Sequence, residues 1–253
     1  MARFKSLIIV CHGRSGSTLL QGILNAIPGF LIRGENHDFA AGLYMAYRRI
    51  KRAASAPQAA RLGRTDDPSV PWYGAADIDQ QQLLADMTIL MRNVLVPRAQ
   101  QSSVLCYGFK EIRFPQGAPK FLSYTTFLRS IMPELAVVLL TRNHESLARS
   151  GWWKKEPKDR LIRRFAKADA ARMAYIAQHK DHSFHIEYED ICVQGPQTHA
   201  LFDFLDVPYA TERVTEVLTI KHGNAKNPLA DYDDDEDETP EGDDEDEFAD
   251  PED

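Results

Sequence analysis

Along this chain, short runs of apolar, often β-branched residues alternate with longer stretches in which apolar residues recur every three or four positions. The first run, residues 6–11, reads Ser-Leu-Ile-Ile-Val-Cys and stops at Gly13; residues 17–27 then show helical spacing. That pattern predicts strand, tight loop, helix. Further strands are expected at 30–33, 103–110, 136–142 and 183–188, and the run at 136–142 has the unbroken apolar character of a strand buried on both faces. Helical periodicity marks 39–54, 79–100, 120–131, 143–153, 158–179, 197–205 and 210–219, while a stretch bearing Pro and Gly at 63–74 reads as a loop or mobile flap. Alternating strands and helices, with several strands lacking a polar face, imply an α/β fold whose parallel sheet is flanked by helices on both faces. No internal repeat is visible.

Length and composition add one domain and one tail. A chain of 253 residues, 43% hydrophobic, closes one sizeable core and demands no second. The formal charge of −7 conceals two opposite parts, because residues 231–253 hold sixteen acids and no Lys or Arg. Residues 1–230 therefore form a basic body of about +9, suited to a polyanionic ligand, and the tail is expected to be disordered because it buries too little to offset its ordering entropy. The early apolar run is too short for a membrane span or a signal core, which points to the cytoplasm. Cys11, Cys106 and Cys192 show no metal-like pairing and are expected as buried small hydrophobes.

The loop after the first strand is where an open parallel sheet usually holds a phosphate. Here it reads Gly13, Arg14, Ser15, Gly16, Ser17, Thr18. The glycines allow backbone N–H groups to converge on an anion, the following helix aims its positive end there, and hydroxyls and a permanent cation stand alongside. The loop lacks the Lys and the spacing of a nucleoside-triphosphate loop, which disfavours a kinase with a degenerate loop of that kind.

From Arg14 to Leu20 the sequence resembles the sulfotransferases that use 3′-phosphoadenosine 5′-phosphosulfate (PAPS), whose fold is a P-loop-type sheet. The resemblance implies that Arg14, Ser15, Gly16, Ser17 and Thr18 hold the 5′-phosphate and the transferring sulfuryl group. It also implies a second anion pocket for the 3′-phosphate, built from an Arg at a strand end and a Ser eight residues on in the next helix; Arg142 and Ser150 match, with Lys154 one helical turn further. Tyr188, in a segment similar to the family's Tyr-Glu-Asp-Leu, is the implied neighbour of the adenine. Arg14 stands where the cytosolic small-molecule enzymes carry Lys, and so follows the tyrosylprotein and carbohydrate types.

Sulfuryl transfer needs charge neutralised on the departing nucleotide and a proton taken from the acceptor. Arg14 and Lys110, the latter in a Gly-x-Lys segment similar to that of bacterial members, are the candidates for the first task. By resemblance, an acid in the Gly34-Glu35 region serves the second, so Glu35 is the candidate base, with Asn36 in its place if the alignment slips by one and His37 as the reserve, its ordinary pKa near ~6.5. Trp152 and Trp153 are candidates either for walls of the acceptor site or for core packing. No metal is expected, since the histidines show no ligand spacing. Residues 40–100 match nothing recognisable, which leaves a sugar, a lipid headgroup, a natural-product hydroxyl and a peptide tyrosine all open as acceptors. The other functional class to weigh is a non-catalytic nucleotide- or nucleic-acid-binding protein, although no nucleic-acid-binding module is apparent.

Overall fold

The computed structural model describes residues 2–54 and 67–220. In chain order they form β1 (Ser6–Val10), α1 (Ser17–Asn25), β2 (Phe30–Arg33), α2 (Phe39–Ala54), α3 (Gln80–Leu95), β3 (Cys106–Glu111) and α4 (Ala118–Ile131). After these come β4 (Leu135–Thr141), α5 (His144–Ala148), α6 (Lys158–Gln178), β5 (Ser183–Glu187), α7 (Tyr188–Cys192), α8 (Pro196–Leu205) and α9 (Thr211–Thr219). Short 3₁₀ turns occupy Ala75–Asp77, Arg98–Gln100 and Gly151–Lys155. The expected acidic tail and the body's end at residue 230 lie outside the described residues, and the 63–74 stretch is described only from residue 67.

The five strands are all parallel, in the order β2-β3-β1-β4-β5, so β1 runs down the centre with every residue buried. Strand alternation splits the core in two. Leu7, Ile9 and Cys11 join Leu20, Ile23, Leu201 and Val214 on the face covered by α1, α8 and α9. Ile8 and Val10 face the other way, against Tyr44, Met91, Phe121 and Tyr175 of α2, α3, α4 and α6. The connection leaving β1 thus goes to one face, whereas those leaving its neighbours β3 and β4 go to the other. Such a switch opens a crevice at the carboxyl ends of the strands, and the loop after β1 sits at its centre.

Several elements differ from expectation for identifiable reasons. Helix α3 stops at Leu95 because Val96 precedes Pro97 and takes an extended backbone, and only a 3₁₀ turn follows. The helix expected over 143–153 is cut at Ala148: Ser150 is extended and Gly151 has φ 56°, a left-handed geometry that Gly tolerates best. Tyr188 opens the short helix α7 rather than ending a strand. Cys11 and Cys106 are buried, but Cys192 is exposed, since it ends α7 beside the exposed Val193. Among the described residues no helix is long and apolar enough to cross a membrane.

Candidate active site

The loop between β1 and α1 leaves several of its polar groups unpartnered. Gly16 caps α1 at φ 89° and offers no side chain to the helix's first amides, so the N–H groups of Ser17 and Thr18 are left open at its positive end. A Cβ on Gly16 would lie 2.1 Å from the Tyr188 ring, so the glycine serves both the turn and the close approach of that ring. Ser15 is fully buried and its Oγ has no hydrogen-bond partner, which costs stability unless something supplies one. Arg14 is exposed, with φ 67°; its guanidinium lies 5.7 Å from the Trp152 ring.

Arg142, just past the end of β4, reaches this loop. Its Nη1 donates to the Arg14 carbonyl at 2.8 Å, its guanidinium stacks 4.5 Å from the Tyr188 ring centre, and its buried Nε lacks a partner. Neither Arg14 nor Arg142 has a carboxylate partner among the described residues, so two permanent cations stand at one loop without an acidic neighbour there. Ser150 is not two turns into a helix as expected. It lies in the extended link before Gly151, where a Cβ on that glycine would meet the Arg14 side chain at 2.8 Å. Ser150 therefore adjoins the loop by a different route. Lys154 is exposed in the 3₁₀ turn and makes no side-chain hydrogen bond to a described residue.

The two tryptophans part company. Trp153 is buried against Phe165 and donates its Nε1–H to the Gly13 carbonyl at 2.9 Å, which makes it core rather than a wall of an acceptor site. This tether also explains why the chain abandons the helix after Ala148. Trp152 stays half-buried over Gly13, with its own Nε1 buried and unpartnered.

Lys110 and Glu35 meet in an ion pair between the ends of β3 and β2, the lysine 9% exposed and the carboxylate 37%. Lys110 sits beside Ile9 in register, on the α1 face of the sheet. Asn36 follows with both amide atoms buried and unpartnered, and His37 is exposed at φ 51°. The structure brings Glu35 to Lys110, Arg142 and the Ser150 link to Arg14, and Tyr188 to Gly16 and Arg142.

A further group was not anticipated. His12 continues the alternation of Ile8 and Val10 toward α6, where its Nε2 lies 2.8 Å from Asp169 Oδ1, while His144 Nε2 lies 2.9 Å from Asp169 Oδ2. Arg172, one helical turn on and almost wholly buried, places Nη1 3.5 Å from Asp169 Oδ1. Burial alone would raise the Asp169 pKa, but the bonds from His12 and His144 and the Arg172 charge outweigh it and bring it to about 2. Burial, helped by the Arg172 charge, lowers His12 to about 4 against the upward pull of Asp169. Asp169 is thus ionised and accepts, and His12 is neutral and donates from Nε2. The available signal was the α6 stripe of Leu161, Phe165, Ala168, Asp169, Arg172, Tyr175 and Ile176, in which two charges interrupt an otherwise apolar buried face.

Residues 6–211 match a family model described as the Sulfotransferase family. No curated protein matches the sequence. Similar solved structures include a sulfotransferase domain from the curacin biosynthetic pathway, at 15% identity over 86% of this chain and 79% of that one, with a TM-score of 0.41. A sulfotransferase domain from the Synechococcus PCC 7002 olefin synthase has 15% identity, coverage of 88% and 83%, and a TM-score of 0.49. Retinol dehydratase in complex with androsterone and inactive cofactor PAP has 14% identity, coverage of 85% and 63%, and a TM-score of 0.35. The family match spans the sheet, the loop after β1 and the Arg142 region, and by it this chain belongs to the sulfotransferase family.

Proposed function

We propose that residues 1–230 form a PAPS-dependent sulfotransferase of the tyrosylprotein and carbohydrate type, which sulfates an acceptor hydroxyl or amine and releases 3′-phosphoadenosine 5′-phosphate (PAP). The observation that carries this reading is the pairing of Arg14 and Arg142 at the loop after β1 with no carboxylate partner among the described residues, since a nucleotide with phosphates at both ends supplies that compensation. The orphaned Ser15 Oγ and Arg142 Nε, and the open amides of Ser17 and Thr18, fit such a bisphosphate. In this reading Arg14, Ser15, Gly16, Ser17 and Thr18 hold the 5′ end, while Arg142, with Ser150 and Lys154 near it, holds the 3′-phosphate. The donor, when bound, supplies an activated sulfuryl group.

The chain's own groups then have separate tasks. Arg14 and Lys110 offset the charge left on the departing phosphate oxygen, Arg14 as a permanent cation that stabilises charge rather than donating a proton. Glu35 accepts the acceptor's proton on a carboxylate oxygen, with His37 as the alternative base. The Lys110–Glu35 ion pair supports this division, because it keeps the ammonium and the carboxylate side by side at the sheet end without solvent between them. Tyr188 holds one ring face against the Arg142 guanidinium, and exchanging that cation for a base is the stacking role assigned to it.

Ligand-induced thermal stabilisation tests the reading. PAP is expected to raise the melting temperature clearly, by the equivalent of ~2.7 kcal/mol at a hundredfold excess over Kd, with little effect from 5′-AMP or ATP. Arg142→Ala is expected to abolish that preference while the unliganded melting temperature holds; equal shifts for all three nucleotides in the wild type defeat the donor assignment.

A further inference from the structure

We propose that Asp169 is a positioning residue that holds the two anion-binding loops of this site in one register, by bonding the first through His12 and the second through His144. The inference rests on the proposed bisphosphate site and concerns what sets the spacing of its two halves. His12 immediately precedes Gly13 and Arg14, and His144 follows Arg142 by two residues. One carboxylate receives both imidazoles, at 2.8 Å on Oδ1 and 2.9 Å on Oδ2. The two loops are therefore referred to a single rigid group, whose oxygens have a fixed separation.

The mounting of that group suits the task. Asp169 lies in the middle of α6, a helix of 21 residues whose buried face packs on the sheet, so it does not move with either loop. Arg172, 1% exposed, sits beside it and adds to the His12 and His144 bonds in keeping the carboxylate ionised, hence able to accept from both sides at once. The His12 ring is held at 4.8 Å and the His144 ring at 5.9 Å from the Phe165 ring, which fixes their planes from the same helix. Of the other ties between these segments, Arg142 to the Arg14 carbonyl uses a group assigned to hold phosphate and so exchanges partners on binding, whereas the Trp153 indole bonds the Gly13 carbonyl from beyond the second loop, at residue 153. The Asp169 tie touches no phosphate-binding group and persists through that exchange. Errors of about 1 Å in such spacing typically cost on the order of a hundredfold in what the site does, which is why outer residues of this kind matter.

Two variants test the proposal: Asp169→Asn, which keeps the volume but leaves a single acceptor oxygen, and His144→Ala, which removes the second bond, with its ring contact to Phe165, at a half-buried position. By titration calorimetry, His144→Ala is expected to weaken PAP by about tenfold or more and 5′-AMP by less than about threefold, because only the spacing to the 3′-phosphate is lost. A merely structural role lowers the melting temperature and weakens both nucleotides by the same factor; that outcome overturns the proposal. Amide hydrogen exchange without nucleotide gives the independent arm. Asp169→Asn is expected to expose residues 12–18 and 142–150 together, and His144→Ala to expose 142–150 alone. If the wild type binds 5′-AMP as tightly as PAP, the donor reading fails, and the exchange pattern still decides the positioning role: unchanged protection in either loop of Asp169→Asn overturns it.

Discussion

The neutral, buried His12 gives the protein an acid-sensitive stability whose size follows from its surroundings. In the folded chain burial and the Arg172 charge hold its pKa at about 4, whereas an exposed imidazole has the ordinary value of 6.5. As pH falls from about 6.5 to about 4, the unfolded chain takes up a proton that the folded chain refuses, so stability declines over that window and is unaffected by His12 above it. A gap of about 2.5 pH units at ~1.4 kcal/mol per unit amounts to roughly 3 kcal/mol. Below about pH 4 Asp169 adds a loss of the same sign, because its folded pKa of about 2 lies beneath its ordinary 3.8. The assay is urea unfolding followed by tryptophan fluorescence between pH 7 and pH 4, run on the wild type and on His12→Gln, which retains a donor at the Nε2 position without titrating. The variant is expected to be less stable at neutral pH, having lost the ring contact with Phe165, but its stability should fall less steeply with acid by about 3 kcal/mol over the interval. Titrating groups outside the cluster of His12, Asp169, His144 and Arg172 are common to both proteins and cancel in the difference. Parallel pH curves would refute the assignment of His12 as a buried neutral donor.

Glu35→Gln is expected to lower turnover by about two to four orders of magnitude with PAP binding retained; unchanged turnover moves the base to His37 or to the acceptor itself. Gly16→Ala puts a methyl 2.1 Å from the Tyr188 ring at a φ of 89°, and the expected loss of at least ~1 kcal/mol in unfolding free energy is measured by denaturant titration, with no loss contradicting the described turn.

The strand-loop-helix unit at residues 6–25 was legible because each part is local. A run of Leu, Ile and Val makes a buried central strand, two glycines make the turn, and helical spacing resumes at once. The alternating pattern likewise implied a parallel sheet with helices on both faces, as observed. The helix after Arg142 misled because its outcome is not local. Residues 143–153 have acceptable helical periodicity, but the Trp153 indole is claimed by the Gly13 carbonyl, 140 positions away in sequence, and the backbone turns at Gly151 to satisfy it. No window on the sequence contains both partners.

By itself, then, the sequence determined the succession of elements, the buried central strand and the chemistry of the loop after it, since these depend on periodicity and on residues that are neighbours in the chain. Tertiary structure alone decided that Lys110 pairs with Glu35, that Arg142 reaches Arg14, that Ser150 approaches from an extended link, and that Asp169 receives both His12 and His144. Asp169 and His12 are 157 positions apart, and what brings them together is the packing of α6 on the sheet. Which polar groups then meet on a buried face depends on how the helix is rotated and shifted against the strands, and that is settled by the summed burial of its whole apolar stripe rather than by any residue's own preference.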